Sequence, residues 1–252
     1  MRRHLFLVSI GTLLINFSVN GQLADEFNPP RANCCLINTA RGLADQLQDW
    51  NQLGRYHQDN ERVKSLPAEP RRVVFLGDSI TDGWRLARSF PEKPYVNRGI
   101  GGQTTPQMLV RMYPDVIDLK PGALIILAGT NDISRNTGPE TLTMIEENFQ
   151  AMTELAQAHG IKVILCSLTP VSDYTKNKQT VSRPPADILK LNAWLKEYAA
   201  KVHATFADYY TATVDDKGML REGYSEDGLH PNLNGYELMA PVAESAIEKA
   251  LQ

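Results

Sequence analysis

The chain has 252 residues, 42% of them apolar and 22% charged, with a formal net charge of −3. That length and apolar content suit one α/β domain with a large core and short appendages, and no fixed-period repeat or low-complexity tract points to a solenoid or a disordered tail. The acidic balance, with no Lys/Arg cluster interleaved with aromatics, excludes the basic footprint that a phosphate backbone requires, so nucleic acid is not an expected partner.

Residues 1–21 have the organisation of a signal peptide. Arg2, Arg3 and His4 form a basic start, Leu5 to Phe17 are mostly apolar, and Val19-Asn20-Gly21 precede a cut that leaves Gln22 first. The apolar stretch is shorter than the roughly 20 residues of a spanning helix, so no stable membrane insertion is expected after its removal. The expected location is secreted or periplasmic. Loss of Arg2 and Arg3 takes the formal net charge from −3 to −5. Cys34 and Cys35 are adjacent, with Cα atoms about 3.8 Å apart, closer than ordinary disulfide geometry allows. Cys166 lies in the apolar run KVILCSL as a core residue, so no disulfide framework and no metal site is assigned to the thiols.

Residues 22–70 form an N-terminal extension. Leu43, Leu47, Trp50, Leu53 and Tyr56 or His57 recur at helical spacing, which predicts an amphipathic helix between Asn38 and Lys64, ended by Pro67 and Pro70. Residues 71–252 then alternate. Apolar runs at Val73–Leu76, Ala123–Leu127, Lys162–Leu168 and Thr205–Tyr209, with a weaker one at Tyr95–Asn97, predict buried parallel strands. Helical spacing predicts helices at Thr105–Tyr113, Pro139–His159 and Asp187–His203. The alternation predicts a three-layer α/β/α sandwich around a five-strand parallel sheet, in which sites form beyond the carboxyl ends of the strands.

Four polar clusters fall on that edge: Gly77-Asp78-Ser79, Gly99-Ile100-Gly101-Gly102, Gly129-Thr130-Asn131-Asp132 and Asp227-Gly228-Leu229-His230. Each alone is an ordinary turn or helix cap. Together they supply the parts of acyl transfer: a serine nucleophile, a histidine base three residues beyond an orienting aspartate, and donors for an oxyanion. The catalytic candidates are Ser79, Asp227 and His230. The oxyanion candidates are the N–H groups of Ser79 and Gly102 and the Asn131 side chain.

GDSIT, GIGGQTT, GTND and DGLHPN, in that order, resemble the SGNH (GDSL) hydrolase superfamily from about Val73 to the end of the chain, with similarity to platelet-activating-factor-acetylhydrolase-like acyl esterases. The resemblance implies a flavodoxin-like sandwich and a cofactor-free esterase in which the same residues serve as triad and oxyanion hole. It also implies a small ester substrate, such as an acetylated sugar or a short acyl ester. Two positions depart from the pattern: Ile80 replaces a leucine, and Gln103 replaces an aspartate, which alters how the Gly102 loop is held. Trp84, Arg98 and Tyr224 flank the motifs as candidate pocket residues, and the loops Leu168–Pro185 and Asp215–Glu226 are expected to shape the pocket. Two other readings compete. One is a metal-dependent phosphoesterase using Asp78, Asp132, Asp227 and His230, and the other is a non-catalytic carbohydrate- or lipid-binding domain.

Overall fold

The computed structural model describes residues 42, 44 and 47–252. The expected signal segment, Cys34, Cys35 and the first part of the expected N-terminal helix lie outside the described residues. In chain order the elements are α1 (His57–Ser65), β1 (Val73–Gly77), α2 (Ser79–Asp82), α3 (Leu86–Ser89), β2 (Tyr95–Gly99), α4 (Thr105–Val110), α5 (Met112–Asp115) and β3 (Ala123–Leu127). They continue with α6 (Thr130–Ile133), α7 (Leu142–Ala158), β4 (Lys162–Cys166), α8 (Pro185–Lys201), β5 (Thr205–Ala207), α9 (Tyr209–Thr213) and α10 (Leu233–Ala250).

The five strands are all parallel, in the order β2-β1-β3-β4-β5. Because side chains alternate across a strand, β1 sends Val74 and Leu76 to one face and Val73 and Phe75 to the other. The first face meets Met108, Phe149, Met152, Leu191 and Leu195 from α4, α7 and α8. The second meets Ile80, Leu86, Tyr209, Met239, Ala243 and Ile247 from α2, α3, α9 and α10. Two cores on one sheet make the expected three layers. The strand order reverses between β1 and β3, where the carboxyl ends diverge and leave a crevice.

The expected helix between Asn38 and Lys64 is not continuous. The Asp49 carboxylate accepts from the N–H groups of Leu53 and Gly54, both at 2.8 Å, and Gln52 sits at φ +57°, so the chain turns and only α1 is helical beyond it. Leu47, Trp50 and Leu53 are consequently 79%, 53% and 40% exposed, not a buried stripe. The expected helix Thr105–Tyr113 breaks at Arg111, and Pro114 in the next turn cannot donate to a preceding carbonyl. The strands expected to reach Leu168 and Tyr209 stop at Cys166 and Ala207, and β2 runs on to Gly99. The C-terminal helix α10 went unassigned in the sequence, although Tyr236, Met239, Ala243 and Ile247 bury one helical face behind an Asn232 cap. Burial pushes the Cys166 thiol well above its ordinary value, consistent with a core role.

Candidate active site

Strand β1 delivers Ser79. A side chain at Gly77 would collide with Thr81 and the Leu127 carbonyl, so the turn into α2 can pass close to β3 only with glycine there. Asp78 caps α2 by accepting from the Ile80 N–H at 2.9 Å. As the first residue of α2, Ser79 has its own N–H outside the helix ladder, and its side chain is half-buried.

The loop before α10 supplies the other two candidates. His230 Nδ1 lies 2.6 Å from Asp227 Oδ2, and Nε2 lies 2.8 Å from Ser79 Oγ. A carboxylate only accepts, so Nδ1 carries the proton and Nε2 faces the serine hydroxyl as acceptor. Asp227 Oδ1 accepts from the Leu229 and His230 N–H groups at 3.0 and 2.8 Å, and from Ser225 Oγ at 3.1 Å. Burial opposes the Asp227 charge, but the bonds from the His230 N–H and ring and from the Leu229 N–H hold its pKa down at about 2. It is ionised throughout the neutral range.

The oxyanion candidates sit beside this chain. The Gly101 position approaches Ser79 Cβ, and Gly102 turns at φ +79°. Asn131, on α6 after β3, is buried and donates from Nδ2 to the Gln103 carbonyl at 3.0 Å. Asn136 Nδ2 donates to the Gly102 carbonyl at 3.2 Å. Gln103, the departure expected to alter this loop, is held at both ends of its amide: Nε2 donates to the Asn51 carbonyl at 2.8 Å, and Oε1 accepts from Arg111 Nε at 2.6 Å.

Arg111 escaped the sequence reading and organises this side of the site. Fully buried, it donates to the Arg98 carbonyl at 2.7 Å, to the Gly77 carbonyl at 3.1 Å and to Asp115 Oδ2 at 3.0 Å. It therefore ties the carboxyl ends of β1 and β2 to the glycine loop. Burial lowers its pKa, while Asp115 works to keep it charged. Asp115 in turn accepts from Asn60 Nδ2 at 2.7 Å, and the Tyr56 hydroxyl donates to the Gly99 carbonyl. The N-terminal extension is thus built into the support of the site.

Arg183 was also missed. Its guanidinium donates to Asn131 Oδ1 at 3.3 Å, to Thr130 Oγ1 at 3.2 Å and to Gln179 Oε1 at 2.9 Å, and Gln179 donates to the Asp227 carbonyl at 3.0 Å. Burial lowers its pKa, and the charges of Asp78 and Asp227 oppose that. Nothing in the local sequence singles it out, but it lies in the loop Leu168–Pro185 that was expected to shape the pocket.

The expected pocket residues divide. Arg98 is a correction: it is 2% exposed, donates to Asn60 Oδ1, Asp59 Oδ2 and the Asn97 carbonyl, and stacks over the Tyr56 ring, so it fastens the N-terminal extension and does not face a substrate. Trp84 is buried against Phe75, Phe90, Tyr209 and Tyr236. It also lines a cavity of about 420 Å³ with Gly83, Arg88, Pro231, Leu233 and Tyr236, and Tyr224 is not among that cavity's walls. Tyr224 is half-exposed, and its carbonyl accepts from the Asn232 N–H at 2.9 Å.

The metal reading needs Asp78, Asp132, Asp227 and His230 to converge. Asp132 instead accepts from the Thr105 N–H at 2.8 Å and its hydroxyl at 2.5 Å, and burial pushes its pKa up to about 7. Burial likewise pushes Asp78 up to about 6. Among the described residues, no group of three or more His, Cys, Asp or Glu side chains is arranged to hold a metal ion.

Residues 75–238 match the family described as GDSL-like lipase/acylhydrolase. A solved GDSL-like lipase of Bacteroides thetaiotaomicron is 37% identical with a TM-score of 0.73, over 79% of this chain and 98% of that one. The lipoprotein YqeF of Bacillus subtilis, itself uncharacterized, is 39% identical over 119 residues, 39% of this chain and 49% of that protein. An acetylxylan esterase of Xylanibacter ruminicola is 24% identical over 227 residues, 74% of this chain and 45% of that protein. The chain spans about half the length of these two curated relatives.

Proposed function

Because the chain belongs to the GDSL-like lipase/acylhydrolase family of carboxylic ester hydrolases, we propose that it is a secreted or periplasmic serine esterase acting on short acyl esters, with Ser79, His230 and Asp227 as its triad. The observation that carries this reading is the hydrogen-bonded chain from Ser79 Oγ through His230 to Asp227, at 2.8 and 2.6 Å. His230 Nε2 takes the Ser79 hydroxyl proton as Oγ bonds to the ester carbonyl carbon. The resulting oxyanion is met by the N–H groups of Ser79 and Gly102 and by Asn131 Nδ2. Collapse breaks the ester C–O bond, and the departing alkoxide takes the proton from His230. A water then gives its proton to His230 and attacks the acyl-enzyme, which releases the acid and restores Ser79.

The basic start and apolar run of residues 1–21 support export, and the lipoprotein relative is compatible with an envelope location. Among the described residues, no helix is long and apolar enough to cross a membrane. The acetylxylan esterase relative favours acetyl groups on a carbohydrate as the substrate class. Hydrolysis of p-nitrophenyl acetate, longer-chain esters and acetylated xylan by wild type beside Ser79→Ala tests the proposal. Expected are acetyl preference, loss of activity with Ser79, and labelling of wild type alone by a fluorophosphonate. Equal activity in both proteins rejects Ser79 as the nucleophile, and activity rising with chain length rejects the short-acyl assignment.

A further inference from the structure

An asparagine amide can serve an oxyanion only if its nitrogen, not its oxygen, faces the reacting centre. The two ends of Asn131 are fixed by partners of opposite kind. The Gln103 carbonyl can only accept, so the group 3.0 Å from it is the NH2; the Arg183 guanidinium can only donate, so the group 3.3 Å from it is the oxygen. A guanidinium has no acceptor, so a flipped Asn131 would set NH2 against N–H and strand both inside a buried site.

From this geometry we infer that Arg183 is a positioning residue for catalysis, one that acts through Asn131 by locking its amide with the nitrogen toward Ser79. The inference rests on the serine-esterase reading above. Arg183 is itself held rigidly: Nε bonds Thr130 Oγ1 at 3.2 Å, beside Asn131, and NH1 bonds Gln179 Oε1 and Ser182 Oγ at 2.9 and 3.2 Å. A planar fork anchored at three places sets one orientation, which a flexible ammonium cannot reproduce. The buried positive charge behind Asn131 Oδ1 also polarises the amide, so its N–H groups become better donors as negative charge develops on the substrate. The benefit arises in the transition state, so it belongs in kcat and not in substrate affinity.

The competing role is structural, through Gln179 and its bond to the Asp227 carbonyl at 3.0 Å. A double-mutant cycle separates the two. Arg183→Gln is expected to lower kcat about 10- to 100-fold with KM changed less than about threefold, and Asn131→Ala to lower kcat about 10²- to 10³-fold. If Arg183 acts through Asn131, adding Arg183→Gln to Asn131→Ala lowers kcat no further. Full multiplication of the two losses, or wild-type kcat in Arg183→Gln, overturns the inference. Should Arg183→Gln fail to give a native melting transition, Arg183→Lys decides: it keeps the charge but not the fork, and it is expected to lose at least about tenfold in kcat and to show the same non-additivity. Wild type and Ser79→Ala are assayed beside these variants, together with fluorophosphonate labelling. Activity that survives Ser79→Ala, or a wild type that neither hydrolyses esters nor labels, defeats the esterase reading and this inference with it. Ser79-dependent activity indifferent to Arg183 defeats this inference alone.

Discussion

In the segment Ser225–His230 the Asp227 side chain that orients toward His230 is held by bonds spanning only two or three residues, from Leu229, His230 and Ser225, whereas the loop Gly101–Gln103 is held by partners 8, 28 and 52 residues away, at Arg111, Asn131 and Asn51. The first loop keeps Asp227 and His230 half-exposed and carries much of its geometry in its own sequence. The second has a buried side chain, Gln103, and borrows its geometry from the rest of the fold, including the N-terminal extension. Substitutions of the polar side chains that hold the two should therefore fail differently: in the first through chemistry, in the second through stability.

The largest expected effect breaks the first loop's chemistry without its structure. Asp227→Asn keeps an oxygen for the Leu229, His230 and Ser225 donors but presents NH2 to His230 Nδ1, which drives the ring to the wrong tautomer. We expect kcat to fall about 10³- to 10⁴-fold while stability at neutral pH falls by no more than about 2 kcal/mol. Turnover near wild type would end the orienting role of Asp227, and a collapse of stability would end the view that the loop holds itself.

Arg111→Met is the counterpart for the second loop. It leaves the buried Asp115 without its guanidinium partner and takes a donor away from the Gly77 and Arg98 carbonyls, and should cost about 3–5 kcal/mol in a urea titration. Adding Asp115→Asn should recover a large part, since an asparagine at 115 still accepts from Asn60. A cost below about 1 kcal/mol would show that the glycine loop does not depend on this network.

The same contrast explains what the sequence made legible. Asp227 and His230 stand in one short run, Ser79 follows an apolar strand and Asn131 follows another, so each could be read where it stands. The sheet was legible for the same reason, since unbroken Val, Ile and Leu runs between helical stretches admit few other folds. Arg111 and Arg183 were not, because a surface arginine and a buried one look alike until the fold shows which carbonyls and amides surround them. Arg98 was misread as a pocket residue on proximity alone: it is next to the motif in sequence but turned toward Asp59 and Asn60. The stripe Leu47, Trp50 and Leu53 has helical spacing, yet the Asp49 carboxylate captures two N–H groups and makes a turn. In α10, Pro241 and several small residues dilute an apolar pattern that the structure buries on one face.

Acid and base titration sharpen the comparison through two carboxylates of opposite sign. Asp78 is buried with Oδ2 lacking a partner, and its pKa is raised from 3.8 to about 6. Its contribution to stability is therefore full below about pH 4 and lost as pH rises through about 6, on the order of 2–3 kcal/mol. Asp227 is lowered from 3.8 to about 2, so its contribution is full above about pH 4 and lost as pH falls toward 2. Urea unfolding across pH 2–8 should show wild type losing stability relative to Asp78→Asn between pH 4 and 7, and relative to Asp227→Asn only below pH 4. Parallel curves for wild type and Asp78→Asn would remove Asp78 as a source of strain in the turn that presents Ser79.

The smallest effects compare the two loops at their glycines. Gly102 and Gly228 both have positive φ, +79° and +82°, so an alanine at either should cost about 1–2 kcal/mol in backbone strain alone. At Gly102 the new methyl would have Asn136 Nδ2 as its nearest neighbour, at 4.0 Å, so strain is the whole cost. At Gly228 it would run into the Ser172 carbonyl, and the Ser172 N–H donates to the Gly228 carbonyl at 2.8 Å, so neither backbone can yield without breaking that bond. Gly228→Ala should therefore cost at least about 1 kcal/mol more than Gly102→Ala. The loop whose carboxylate is held by local bonds is the one whose glycine is more tightly enclosed, because its backbone packs on Ser172 and Gln179 in the segment after β4. Equal melting temperatures for the two variants would place the rigidity of the Asp227 loop entirely in its own bonds. A lower melting temperature for Gly102→Ala would reverse the comparison and make the Gly101–Gln103 loop the more closely confined of the two.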